Sequence, residues 1–424
     1  MLKEITISIP GDKSISHRAI IFGSLSKKTS VFHNFLTSED CLHTIECFKD
    51  LGVPIKKAQN AIEIVGVGLN GLKAPQRDLY VGNSGTSIRL LTGILAGQSF
   101  DSVITGDKSI QKRPMKRIVD PLRKMGAVIT GIEKDGNIYP PLKIKGSQKL
   151  KNISYKMPVA SAQVDSCLRL ASLYAAAEKL EIDNKGMQYR NHTENMLVWF
   201  DKYNNNLLDK NIFTIPSDIS SAAFFIVAGC LLSNIKITIK GINVNKTRTG
   251  ILDVLNQMGA NISLSNKAEN DFNEPVADII VQSSALRSTK ITKSMIPRLV
   301  DEIPIISLAA ALAEGETVIS GAEELRHKES DRLKTVTTEL LKIGADITEK
   351  EDGLIIKGLS FLHGANCKSY GDHRIAMMLE IAQLLLPKGE KITIDDTDCI
   401  NTSFPGFGKL ILRAKNEISK SNAR

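Results

Sequence analysis

The sequence predicts a mixed α/β (α+β) protein of two domains, on three observations. At 424 residues the chain is longer than one hydrophobic core usually organises. Two short signatures recur along it, one closing helices and one opening them. No glycine-rich dinucleotide fingerprint follows a strand, so short strands are expected rather than a regular doubly wound sheet.

The closing signature is an acid, an apolar turn, a glycine and a β-branched step. It reads "ECFKDLGVPI" (46–55), "DPLRKMGAVI" (120–129), "DVLNQMGANI" (253–262) and "ELLKIGADI" (339–347). Each is a helix ended by a glycine cap and followed by a strand. The opening signature is a polar, Gly/Ser/Asp-rich start that runs into an Ala/Leu/Ile-rich helix. It begins near residues 12, 82, 160, 217, 301 and 371, for example in "GDKSISHRAIIFGSL" and "GDHRIAMMLEIAQLLL". These helices are apolar around most of their circumference, which places them centrally with strands outside. Six such units divide into two groups of three. One domain is expected at 1–11 and 217–424, with the N-terminal strand returning to the C-terminal half. The other is expected at 12–216, with crossovers at 11–13 and within "IFTIPSDISS" (212–221).

Composition excludes several classes. Apolar residues at 42% and charged residues at 24% are those of a folded soluble chain. The longest apolar runs, such as "AAFFIVAGCLL", fall short of the roughly 20 residues of a membrane span. The start "MLKEITISIP" alternates like a strand and lacks a signal peptide's regions, so a cytoplasmic address is expected. Six cysteines are scattered without a Cys-x-x-Cys pair, which argues against zinc ribbons and disulfide frameworks. Cys41, His43 and Cys47 read as decoration of an amphipathic helix rather than metal ligands. A net charge of +9 permits anionic partners, although part of it lies in a tail, "RAKNEISKSNAR", that reads as frayed and solvated.

The chemistry-bearing residues cluster at the helix openings. Lys13, Arg18, Arg89 and Arg374 lie at or just after these starts, and Arg113, Arg190, Arg326, Lys328 and Arg332 lie in connecting segments. Lys13, Arg18 and Arg374 stand where the helix dipole disfavours cations, so anionic ligands are the economical explanation. "GDKS" is not a phosphate-binding P-loop, because no glycine stands at the required offset before Lys13. Asp301 reads on its own as a helix cap. Glu329 and Asp331 sit between cations in "HKESDR", where charge and burial pull a carboxylate's pKa in opposite directions.

The motifs "PGDKSISHR", "GNSGTSIR", "RPM", "SAQV", "DEIPI", "EELRHKESDRL", "GDHRIAM" and "TSFPGF" occur in this order from about residue 8 to 408. Together they resemble the enolpyruvyl transferase family, and within it the branch acting on shikimate 3-phosphate. The resemblance implies two domains, each of three βαβαββ units with buried parallel helices and outer four-stranded sheets, and an active site in the interdomain cleft. It implies transfer of the enolpyruvyl group of phosphoenolpyruvate to the 5-hydroxyl of shikimate 3-phosphate, with release of phosphate, on the route to chorismate and the aromatic amino acids. No cofactor and no metal are implied, and a monomer without nucleic-acid or membrane partners is expected. Domain closure on binding is also implied.

Carried over position by position, the resemblance assigns Lys13, Ser14, Arg18, Ser161, Ala162, Gln163, Arg190, Asp301 and Lys328 to shikimate 3-phosphate. It assigns Lys13, Asn83, Gly85, Arg113, Gln163, Arg332 and Arg374 to phosphoenolpyruvate. Asp301 would take the proton of the 5-hydroxyl, Glu329 would handle protons at the enol methylene, and Lys13 would act with them. Gly85 leaves room beside the phosphoenolpyruvate site, which implies sensitivity to glyphosate. The sequence departs from the family at Tyr189, where a serine is usual, and at Asp165, where a lysine is common. It also departs at Thr402, a lysine in some branches, and at Leu90, a proline in another.

The nearest alternative is the UDP-N-acetylglucosamine enolpyruvyl transferase branch, whose loop usually carries a cysteine that "GDKSIQKRPMKR" lacks. A nucleic-acid binder is disfavoured by aromatic residues at 5% and by the lack of a zinc finger or basic zipper. A purely structural repeat protein gives no reason for carboxylates set among cations.

Overall fold

Each polar start opens a helix, and the apolar composition that follows decides that the helix is buried. The computed structural model describes residues 2–419 except 59, 60, 160, 177, 178, 185 and 187. Its helices are α1 (Lys13–Leu25), α2 (Glu39–Asp50), α3 (Gly85–Leu95), α4 (Lys116–Lys124), α5 (Ala162–Ser172) and α6 (His192–Asn204). They continue as α7 (Ile219–Leu231), α8 (Gly250–Gln257), α9 (Ile303–Leu312), α10 (Arg332–Lys342), α11 (His373–Leu385) and α12 (Phe407–Ser419). The odd-numbered helices are the central ones. In α7 every residue except Leu231 is buried, because none of its 13 positions carries a charge. The even-numbered helices are amphipathic, and α2, α4, α8 and α10 are followed by Gly52, Gly126, Gly259 and Gly344. All four glycines have positive φ, from +85° to +104°. That left-handed backbone is nearly free for glycine and strained for other residues, so the closing signature is a run of C-caps.

The chain divides into two compact units. Unit 1 comprises 1–10, 216–269 and 275–424, and unit 2 comprises 11–215 and 270–274. Each has its own apolar core, built in unit 2 on α1, α3 and α5 and in unit 1 on α7, α9 and α11. The segment Asn270–Glu274, the tip of a hairpin, falls in unit 2 although the sequence reading kept all of 217–424 together. The reason is local. Phe272 is fully buried against Trp199, with ring centroids 5.5 Å apart, and the Glu274 carboxylate lies 2.8 Å from buried His192 Nδ1.

Among the described residues, two four-stranded sheets cover each unit. In unit 1 the N-terminal strand Lys3–Ser8 pairs in parallel with Ile235–Asn243, in the register Ile5↔Ile237 and Ile7↔Ile239. In unit 2 Ile212–Thr214 pairs in parallel with Thr29–His33. Each unit's first sheet is therefore completed by a strand from elsewhere in the chain. Among the described residues, the third repeat of each unit carries only a two-stranded sheet, Ser154–Lys156 with Glu181–Asp183 and Asn366–Cys367 with Thr393–Ile394. The expected outer four-stranded sheets belong to the first two repeats of each unit, and in unit 2 the strand that follows the two-stranded pair, Ile212–Thr214, joins the first repeat's sheet.

Two smaller expectations also resolve. The tail is helical as far as Ser419 in α12, and its remainder, 420–424, lies outside the described residues. Cys41 and Cys47 are buried on α2 with their thiol pKa values pushed up by burial, Cys47 to about 12. Among the described residues no group of His, Cys, Asp and Glu is arranged to hold a metal ion. No described helix is long and apolar enough to cross a membrane.

Candidate functional site

Unit 2 brings the openings of α1, α3 and α5 to bear on a set of cations. Asp12 caps α1 by accepting the Ile15 N–H at 3.0 Å, and the first turn carries no acid, only Lys13. Lys13 Nζ is 3.0 Å from Asp40 Oδ2 on α2. Arg18, one turn further, is 4% exposed. Its guanidinium donates to Thr193 Oγ1 at 2.7 Å, Ser166 Oγ at 2.7 Å and the Ser14 carbonyl at 2.9 Å. Those three partners are neutral, so they orient the charge without cancelling it. Burial pushes the Arg18 pKa down to about 10, and Arg190 lies close enough to lower it further, against Asp12, Glu274 and Asp165.

Ser161 caps α5 by accepting the Val164 N–H, which puts Ala162 and Gln163 in that helix's first turn. Gln163 is fixed at both ends of its amide, Oε1 accepting from Arg89 Nη1 at 2.6 Å and Nε2 donating to Thr86 Oγ1 at 3.2 Å. Asn83 and Gly85 stand at the entry to α3, where Ser84 caps the helix. A Cβ on Gly85 would lie 2.8 Å from Arg89 Nη1 and 3.0 Å from Arg113 Nη1. The glycine thus lets two guanidinium groups approach the helix opening.

Unit 1 gathers the carboxylates. Asp301 is not a cap, since Glu302 is the N-cap residue of α9 and makes no side-chain capping bond. Asp301 Oδ1 lies 3.3 Å from Arg332 Nη1 and 3.7 Å from Lys328 Nζ. Arg332 also donates to Glu329 Oε2 at 2.7 Å and to Asp372 at 2.8 Å through Nε. Burial alone would lower this arginine's pKa, but Asp372, Glu329 and Asp301 together hold it above its ordinary value. One guanidinium therefore orients both carboxylates singled out in the sequence. Arg374 opens α11, where Asp372 caps the helix, and donates to the Ser220 carbonyl at 3.0 Å. That same serine's hydroxyl takes Arg248 Nη2 at 2.7 Å.

Within unit 2 the structure joins Arg18 to Ser14 and sets Arg113 against Gly85, and within unit 1 it joins Asp301, Lys328, Glu329 and Arg332. The partners Asp40, Thr193, Ser166 and Arg248 were not singled out from sequence, whereas Arg89 was, as an arginine just after a helix opening. Of the four, Arg248 alone carries that same type-based signal. A hydroxyl that accepts from a distant arginine has none.

A family model described as EPSP synthase (3-phosphoshikimate 1-carboxyvinyltransferase) matches residues 3–410. The chain belongs to the EPSP synthase family. A 3-phosphoshikimate 1-carboxyvinyltransferase of Thermoanaerobacter sp. (strain X514) is 50% identical over 95% of this chain and 96% of that protein. One from Streptococcus suis (strain 98HAH33) is 48% identical over 95% of each. The solved EPSP synthase of Acinetobacter baumannii superposes with a TM-score of 0.83 at 42% identity, covering 97% of this chain and 96% of that one. The enolpyruvyl transferase NikO of Streptomyces tendae, at 13% identity and a TM-score of 0.74 over 97% of this chain and 95% of that one, shares the fold. The enolpyruvyl transferase fold read from the motifs is thus the fold of this EPSP synthase family member, and the sugar-nucleotide branch is disfavoured.

Proposed function

We propose that this chain transfers the enolpyruvyl group of phosphoenolpyruvate to the 5-hydroxyl of shikimate 3-phosphate. Lys13, Ser14, Arg18, Ser161, Ala162, Gln163, Arg190, Asp301 and Lys328 meet shikimate 3-phosphate in this reading. Lys13, Asn83, Gly85, Arg113, Gln163, Arg332 and Arg374 meet phosphoenolpyruvate. The observation that carries it is the pairing of Asp301 and Glu329 on the one Arg332 guanidinium, at 3.3 and 2.7 Å.

The chemistry explains why two carboxylates are required. A proton is added to the methylene carbon of phosphoenolpyruvate, and the 5-oxygen bonds to the adjacent carbon as its own proton leaves. The carbon–oxygen bond to phosphate then breaks, and the new methyl group returns a proton to restore the double bond. Asp301 takes the hydroxyl proton, and Glu329 with Lys13 serves the methylene. Positioned acid–base groups of this kind contribute about 10²- to 10⁴-fold each. The cations hold two like-charged substrates together, so the reaction proceeds from an oriented pair.

The test is phosphate release from the full chain given phosphoenolpyruvate with shikimate 3-phosphate or with UDP-N-acetylglucosamine. Turnover with the shikimate pair, reduced at least about 10²-fold in Asp301→Ala, is expected. Turnover with the sugar nucleotide alone overturns the reading.

A further inference from the structure

The two departures from the family that lie nearest the shikimate 3-phosphate residues, Asp165 and Tyr189, are bonded to each other. Tyr189 Oη donates to Asp165 Oδ1 at 3.1 Å, and both side chains are buried, Asp165 to 1% and Tyr189 to 9% exposure. The other carboxylate oxygen accepts from Arg169 Nε at 2.8 Å, and Arg169 Nη2 reaches Glu194 Oε1 on α6 at 2.5 Å. An ionic link therefore joins α5 to α6.

That link sits beside the cradle of Arg18. Ser166 follows Asp165 in sequence and Thr193 precedes Glu194. The two hydroxyls bond each other at 2.6 Å, and each accepts from Arg18 at 2.7 Å. On its other oxygen Asp165 holds Tyr189, the neighbour of Arg190. One buried carboxylate is thus one residue from an acceptor of Arg18 and one hydrogen bond from the segment that carries Arg190. Burial, and then the charge of Asp165, push the Tyr189 pKa well above its ordinary value, so the phenol stays protonated and donates.

We propose that Asp165 is a positioning residue for shikimate 3-phosphate, setting Arg190 through Tyr189 and Arg18 through Ser166. It rests on the assignment of Arg18 and Arg190 to that substrate. Tyr189 does not donate to the substrate, because its one hydroxyl proton is committed to Asp165. The two departures and Arg169 form one unit, in which changing any member alone leaves a buried polar group short of a partner.

The experiment is steady-state kinetics of the full chain with each substrate varied, for wild type, Asp165→Asn, Asp165→Glu, Tyr189→Phe and the Asp165→Asn/Tyr189→Phe double variant. Asp165→Asn is expected to raise KM for shikimate 3-phosphate about five- to twentyfold, with kcat and KM for phosphoenolpyruvate within about twofold. Asp165→Glu recovers part of the loss. Tyr189→Phe raises the same KM less, and the double variant falls short of the product of the singles, as it must when both act through one bond. Equal changes in both KM values, independent multiplication of the two effects, or an unmoved KM in folded variants would overturn the proposal. Tyr189→Phe keeps the test decisive if Asp165→Asn fails to fold. A wild type inactive with the shikimate pair removes the functional reading and this inference with it, whereas an active wild type with unmoved variants removes this inference alone.

Discussion

Gly85 shows how much can hang on an absent side chain. It is the first residue of α3, where alanine is a better helix former than glycine by about 0.5–1 kcal/mol. An alanine there has its nearest contacts at the tips of Arg89 and Arg113, 2.8 and 3.0 Å from the new Cβ, so the shift falls on the far ends of flexible side chains rather than on backbone. Gly85→Ala should therefore keep or slightly raise the melting temperature while displacing the arginine proposed to meet phosphoenolpyruvate. The expected result is a KM for phosphoenolpyruvate raised about tenfold, equivalent to ~1.4 kcal/mol, with KM for shikimate 3-phosphate changed far less. Glyphosate, expected to inhibit the wild type below the millimolar range, should lose potency in the same variant. Substrate-varied kinetics beside a thermal melt check this, and a lowered melting temperature with unchanged KM values would refute it.

At the scale of elements, α1 is tied to α2 and α3 by a row of buried hydrogen bonds. His17 Nδ1 lies 2.8 Å from Thr44 Oγ1, Thr44 lies 2.6 Å from Ser87 Oγ, and Ser87 donates to the α3 cap Ser84 at 2.7 Å. Burial, with Lys13 and Arg18 adding to it, pushes the His17 pKa well below its ordinary value of 6.5. The unfolded chain therefore takes up a proton at this residue that the folded chain refuses. Its contribution is intact above pH 6.5 and is lost as pH falls from there towards the folded-state value, by at most ~1.4 kcal/mol per pH unit. Melting temperatures between pH 7.5 and 5, on the order of several points, should fall more steeply for wild type than for His17→Gln, and parallel curves would refute the assignment. This row was not legible in the sequence. The helix openings were, because capping chemistry is local and Asp12, Ser84, Ser161, Asp218 and Asp372 each bond within three residues. So were the glycine C-caps. Asp301, read locally as a cap, instead answers to Arg332, and the hairpin tip 270–274 joins unit 2 through Phe272 and Glu274. A partner 27 to 82 residues away leaves no periodic trace, and only the family resemblance pointed to Asp301.

For the whole molecule, the two units present their cations in different states of compensation. Arg18 on unit 2 is bonded to two hydroxyls and a carbonyl, whereas Arg332 on unit 1 is already bonded to Asp301, Glu329 and Asp372. An anion approaching Arg18 displaces no counter-charge from it. An anion approaching Arg332 must share the guanidinium with three carboxylates, and the like charges repel. Shikimate 3-phosphate alone should therefore bind more tightly than phosphoenolpyruvate alone. Because a ligand stabilises the folded state by RT ln(1 + [L]/Kd), about 2.7 kcal/mol at a hundred times Kd, the difference is readable in thermal melts. At equal concentrations shikimate 3-phosphate should shift the transition by more than phosphoenolpyruvate, and added salt should shrink the shift as screening weakens attraction to a chain of net charge +9. A larger shift from phosphoenolpyruvate alone would mean that the carboxylates around Arg332 do not oppose the anion, and would reverse the order in which the two substrates are expected to bind.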